Sequence, residues 1–181
     1  MERRPFSGIE ILEEVLPHAD GPHVMEVPGQ EAGPIAATPY GVILHGTRSG
    51  QSWDRLDEFM ATVNYVRSGG DGLGWHATIG EGIIALHMPP DRWGWHAGSY
   101  SRTWLGVEFA QPAPDHEITD AQVAAFAWWW RHVATQRWPE LQPHFVAHSE
   151  TQQGIQAGKS DPFPVGDVRN DALRRRILST I

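Results

Sequence analysis

The sequence predicts a single α/β domain, a central mixed β-sheet with helices on its faces. Short apolar runs rich in β-formers recur along the chain, and stretches with apolar residues at helical spacing fall between them. No internal repeat, low-complexity tract or Gly/Ser linker divides the 181 residues. A chain of that length buries most of its apolar surface without staples.

Taken in order, residues 1–35 form an irregular N-terminal wrap around a core over 36–181. Pro17, Pro22, Pro28 and Pro34 punctuate the wrap, and residues 9–16 leave room for one short helix or strand. Residues 40–45 are an apolar, β-rich run and predict a buried strand that leaves through His45-Gly46-Thr47. Ser52 fits the N-cap of a helix over 53–66, with Leu56, Phe59, Met60, Val63 and Val66 along one side. The segment from Ser68 to Gly72 stops it. Strands over 75–79 and 83–87 are joined by Gly80-Glu81-Gly82, and a loop over 89–102 carries Trp93, Trp95 and His96. Another buried strand covers 104–110. Thr119 and Gln122 have capping-box spacing and open a long helix to about 138. A strand over 145–148 follows, then a loop. An amphipathic helix over 167–178 closes the chain, with Val168, Leu173 and Ile177 inward and Arg174, Arg175 and Arg176 outward.

Composition narrows the chemistry. With no cysteine, there is no disulfide framework, thiol nucleophile or thiolate metal site, so a transition metal must take His and carboxylate. The net charge of −8 gives no attraction to nucleic acid or anionic lipid, and none to an anionic cell wall at long range. No stretch is long and apolar enough to span a membrane. Glu10, Glu13 and Glu14 interrupt the N-terminal segment, which reads as no signal peptide and predicts cytoplasmic synthesis. Nine tryptophans suit stacking against sugar or peptide as well as a heavy core.

Among ten histidines, His45 and His148 stand where a strand meets a loop, and so does Asp161. Two neutral imidazoles and a carboxylate form a three-ligand zinc set that keeps one position open. Glu108 lies between Val107 and Phe109 on an apolar strand, where a carboxylate is costly to bury without a partner or a task. Lys159 sets a fixed positive charge two residues before Asp161.

Six segments in order resemble the type-2 N-acetylmuramoyl-L-alanine amidases, a family that includes peptidoglycan recognition proteins and phage amidase lysozymes. They are Val42-Ile43-Leu44-His45-Gly46-Thr47, Trp75-His76-Ala77-Thr78-Ile79, Trp95-His96-Ala97-Gly98, Leu105-Gly106-Val107-Glu108, Ala147-His148-Ser149-Glu150 and Lys159-Ser160-Asp161-Pro162. The resemblance implies one zinc per chain on His45, His148 and Asp161. It makes Glu108 the glutamate that activates water and Lys159 the cation that stabilises the oxyanion. His96 is implied to line the groove without binding metal. Trp93, Trp95 and Thr47 complete the substrate-facing set, His76 reads as a core or supporting histidine, and His87, His132 and His144 as background.

The chain departs from the pattern at three places. Trp75 stands where some phage members carry a tyrosine, which throws weight onto Glu108. Phe163 replaces the usual glycine after Asp-Pro. The loop from His148 to Lys159 is long, with Gln152, Gln153, Gly154 and Gln156 within it. The resulting expectation is a zinc amidase that cuts between N-acetylmuramic acid and L-alanine, in the setting of a phage endolysin released to the wall during lysis. Its substrate is peptidoglycan or a muropeptide, with no nucleic acid and no membrane insertion; the oligomeric state stays open. The alternatives are a non-catalytic peptidoglycan receptor on the same fold, a cytosolic muropeptide-recycling amidase, and a zinc hydrolase of another amide. Retention of all three ligands favours hydrolysis over binding alone.

Overall fold

The protein is described by a computed structural model covering residues 21–49 and 54–181. The element expected within residues 9–16 and the expected cap Ser52 lie outside them. Pro22 and Pro28 bracket β1 (His23–Glu26), which runs parallel to a later strand, so the 1–35 segment is not irregular throughout. Alternation did not reveal it because only the central pair, Val24 and Met25, is buried. β2 (Gly33–Pro34) makes a two-residue antiparallel ladder with β6 (Arg92–Trp93), outside the main sheet.

β3 (Val42–Gly46) is buried along its whole length, as its continuous apolar run predicts. α1 spans Arg55–Arg67, and its N-cap is Asp54, whose side chain accepts from the Asp57 amide at 2.8 Å. Phe59, Met60, Val63 and Val66 face the core, but Leu56 is 60% exposed and Glu58 takes a buried place instead. β4 (Ala77–Ile79) and β5 (Ile83–Leu86) form the expected hairpin, with Gly82 at φ 69° in the turn.

β7 (Leu105–Phe109) follows the Trp-bearing loop. The capping box at Thr119 and Gln122 opens α2 (Asp120–Trp129), as expected. A π-helical turn, Trp130–Ala134, interrupts the long helix before α3 (Thr135–Arg137), a break the apolar spacing does not signal. After β8 (Phe145–Ala147), the expected loop contains a helix, α4 (Gln152–Gln156), capped by Thr151. α5 (Val168–Thr180) buries Leu173 and Ile177, whereas Val168 is 76% exposed in the first turn. Arg174 pairs with Glu150 and Asp171, and Arg176 with Asp120, so only Arg175 of the three simply faces solvent.

The main sheet has six strands in the order β1-β5-β4-β7-β3-β8, parallel throughout except for the β4–β5 hairpin. That is the predicted mixed sheet flanked by helices. Its two faces differ in chemistry. Val42, Leu44, Leu105, Val107 and Phe109 pack with Phe126, Trp129, Leu173 and Ile177 beneath α2 and α5. The intervening residues turn to the side of α1, where Phe59, Met60, Val63 and Trp75 form a smaller cluster.

Candidate metal centre and active site

The parallel register of β3 and β7 sets His45 directly opposite Glu108. Both belong to the alternate set of residues, so their side chains share the face away from α2 and α5. β8 pairs with the other edge of β3, Ala147 against Leu44, and His148 is the next residue along. Three neighbouring strands thus end in the same corner, and the loop carrying Asp161 closes it.

The Nδ1 atoms of His45 and His148 lie 3.3 and 3.1 Å from Asp161 Oδ2. One ligand atom from each residue falls within 4.8 Å of the others, the compactness a single metal ion requires. Glu108 Oε1 stands 4.0 Å from His45 Nδ1, just outside the triad. The donor set therefore fits zinc, with nitrogen and oxygen ligands and no competing thiolate.

Electrostatics follow from burial. Desolvation lowers the pKa of His45 against the pull of Asp161 and so favours the neutral, ligating imidazole. Burial works to raise Asp161, but hydrogen bonds from His148 and His45 outweigh it and hold the carboxyl well below its usual range. Glu108 moves the opposite way. Burial and then the Asp161 charge push it well above an ordinary carboxyl, with Lys159 and Arg48 pulling it back. Its Oε2 is buried with no hydrogen-bond partner among the described residues. An orphaned acceptor of this kind is costly.

The loop bearing Asp161 is fastened from three sides. Arg48 donates to Ser160 Oγ and Ser160 O, both at 2.8 Å, and to the Pro162 carbonyl. Ser149 N donates to the Asp161 carbonyl at 3.0 Å, and Asn170 holds the carbonyls of Phe163 and Pro164. Arg48 sits at φ 51°, a left-handed conformation that non-glycine residues rarely adopt. Its role has no sequence signal, because it depends on where the distant Asp161 loop returns. Glu58 is a second residue that sequence reasoning passed over. Fully buried, it accepts from Thr47 Oγ1, Ser49 N and Ser49 Oγ and so fixes the exit from β3. A charge flanking the apolar stripe of α1 was the available clue.

The remaining predicted residues are distributed unevenly. Lys159, His96 and Trp95 line a cavity of about 290 Å³ around the triad, and Trp95 is 43% exposed. Trp93 stands behind it, buried, with its ring edge-on to Trp95 at 4.8 Å and under the Arg102 guanidinium. Thr47 borders the cavity, but its hydroxyl is engaged with Glu58 and with the Gln111 amide. A wider groove of about 830 Å³ continues along α1 past Met60, Asn64, Tyr65 and Ser68, and shares Thr47, Trp75 and Glu108 with the smaller cavity. His76 and His87 lie buried in the sheet. His76 Nε2 donates to the Arg92 carbonyl while its Nδ1 accepts from Gly106 N; His87 Nδ1 donates to the Val27 carbonyl. Burial lowers each to about 4.

Residues 36–164 match the family described as N-acetylmuramoyl-L-alanine amidase. No curated protein matches the chain at significance. Among solved structures, a selenomethionine AmpD derivative superposes with a TM-score of 0.55 at 20% identity, covering 90% of this chain and 99% of that one. A mutant endolysin from Bacillus subtilis gives a TM-score of 0.59 at 19% identity, over 86% and 98% of the two chains. The Drosophila peptidoglycan recognition protein SD gives 0.59 at 15% identity, over 77% and 88%. At these identities the likeness speaks for the fold, which is the amidase and peptidoglycan-recognition fold. No helix among the described residues is long and apolar enough to cross a membrane.

Proposed function

The chain belongs to the N-acetylmuramoyl-L-alanine amidase family, and from that premise we propose that it is a zinc-dependent hydrolase of the amide between N-acetylmuramic acid and L-alanine. His45, His148 and Asp161 would hold one zinc, and Glu108 and Lys159 would carry the proton and charge transfers. The observation that carries this reading is the convergence of two imidazoles and a carboxylate beside a largely buried glutamate whose Oε2 has no hydrogen-bond partner among the described residues. Bound there, zinc supplies a Lewis acid that polarises the amide carbonyl and acidifies water.

The chain's own groups do the rest. Glu108 accepts a proton from the attacking water and delivers it to the alanine nitrogen as the C–N bond breaks, leaving a muramoyl carboxylate and a free amine. Burial pushes the Glu108 carboxyl above its ordinary range, which makes it a stronger base toward the attacking water, and the proton it takes up is the one it returns. Lys159 brings positive charge to the oxygen that becomes anionic, a contribution typically worth about 3 kcal/mol per donor. Trp95 forms the exposed aromatic wall beside the triad. Trp93 supports that wall from behind, and Thr47 orders the groove floor through Glu58.

One catalytic unit is proposed, a core over 36–181 to which β1 of the N-terminal segment adds an edge strand. The setting is read as cell-wall lysis, the role of a phage endolysin. The open groove running on from the metal corner supports this, since a polymeric substrate needs a long path on either side of the cut. Retention of all three ligands speaks for hydrolysis over a binding-only receptor. Incubation with purified cell walls and, in parallel, with anhydro-muropeptides tests the proposal. Release of stem peptides with free N-terminal alanine from walls, abolished by a chelator, is the expected result. Cleavage of soluble fragments alone would move the protein to recycling, and cleavage of neither would remove the amidase reading.

A further inference from the structure

We propose that His96 is a positioning residue that holds the Nε2–H of His45, so that Nδ1 is the nitrogen turned to the metal corner. The inference rests on the zinc reading for its purpose, but its geometry is independent of any ion. It starts at a backbone carbonyl. His96 Nε2 lies 3.3 Å from the Trp104 carbonyl, which can only accept, so the His96 proton sits on Nε2. His96 Nδ1 is then a lone pair, and it lies 3.1 Å from His45 Nε2. That contact is a hydrogen bond only if His45 carries its proton on Nε2.

His45 Nδ1 is therefore the nitrogen turned to the metal corner. It points at Asp161 Oδ2, 3.3 Å away, with Glu108 Oε1 at 4.0 Å. The relay from carbonyl through His96 to His45 thus leaves the ligand atom ready on the side where Asp161 and His148 converge. Histidine ligands in metal sites commonly have their other nitrogen held in this way. Here the holder is itself a histidine.

The fold gives the His96 ring a fixed seat. It lies against Gly106 of β7, where a Cβ would come within 2.6 Å of ring atoms Cγ and Nδ1, so only glycine admits it. Ser101 Oγ accepts from the amides of His96 and Ala97 at 3.1 and 2.9 Å and pins the loop. The ring is edge-on to His45, with centroids 5.2 Å apart. Because both ring nitrogens are engaged within the protein, neither is left to bind substrate. That distinguishes positioning from the groove-lining role the sequence suggested.

Two readouts test this without measuring catalysis. Nitrogen-15 NMR of the metal-free wild-type protein is expected to show His45 protonated at Nε2; a bare Nε2 overturns the proposal. Zinc affinity is then compared by chelator competition for wild type, His96→Leu and His96→Asn. His96→Leu is expected to lose about 10–100-fold. His96→Asn, whose side-chain oxygen falls near the place of Nδ1 and can accept from His45, is expected to recover most of the loss. Wild-type affinity in His96→Leu overturns the proposal, as does equal damage in both variants. If the wild type binds no zinc, the metal reading fails, while the NMR result still decides the tautomer.

Discussion

β3 and β7 present two contrasting faces. Toward α2 and α5 they contribute Val42, Leu44, Leu105, Val107 and Phe109, all buried among apolar side chains. Toward the groove the same strands contribute His45, Gly106 and Glu108, also buried or nearly so. Burying the first set stabilises by roughly 1.5–3 kcal/mol for each large side chain. The second set costs free energy, because each imidazole must find a partner and Glu108 keeps an oxygen that finds none among the described residues. One face supplies stability, and the other holds a charged corner that the apolar face makes affordable.

That division can be broken by experiment. The largest effect is expected from Glu108→Gln, which keeps shape but removes the proton acceptor. Its kcat should fall by about 10²–10⁴-fold with zinc content unchanged. Burial also holds Glu108 protonated above the ordinary carboxyl range, so in the metal-free protein its contribution to stability is lost as pH rises through that raised value. The metal-free glutamine variant should therefore melt higher than wild type near neutral pH. A variant with wild-type kcat would place the base elsewhere.

On the apolar face, Leu44→Ala should lower unfolding free energy by about 2–5 kcal/mol while the folded fraction keeps its kcat. His45→Ala, one residue along, should do the reverse, abolishing turnover with a smaller loss in the metal-free protein. Denaturant titration beside turnover separates the two, and similar profiles for both variants would erase the distinction between faces.

A smaller effect belongs to pH. His76 and His87 are lowered to about 4 by burial, against an ordinary 6.5 in the unfolded chain. The unfolded state binds more protons between those values, so stability should fall as pH drops through that window, by roughly 3 kcal/mol for each histidine. Unfolding curves at pH 7 and pH 4.5 measure it. A flat response would mean that these imidazoles accept protons in the folded state.

How much of this was legible in the sequence differs between the two faces. Apolar runs over β3, β7 and β8 are self-announcing, because a strand buried on both sides needs no polar alternation. The Thr119 capping box marks its helix by local chemistry alone. β1 was missed because only two of its four residues are buried, and α4 because Gln-rich sequence has weak apolar spacing. On the groove face, strand-end positions pointed to His45 and His148 and the family motifs to Glu108 and Asp161; Asp161 was also expected at a strand end, but it lies in the loop between α4 and α5. Arg48 and Glu58 could not be found that way. Each acts through partners that only the folded chain brings close, Ser160 and Pro162 for one, Thr47 and Ser49 for the other. Trp93 shows the converse error, an aromatic residue assigned to a wall that the fold placed behind it.

The central claim is that His45, His148 and Asp161 bind one ion together. Elemental analysis of the purified wild-type protein and of His148→Ala, each after equilibration with a slight excess of zinc and gel filtration, tests it most directly. One zinc per wild-type chain and almost none in the variant is the result predicted. A wild-type chain that emerges free of metal, or a variant that retains it fully, would contradict the claim.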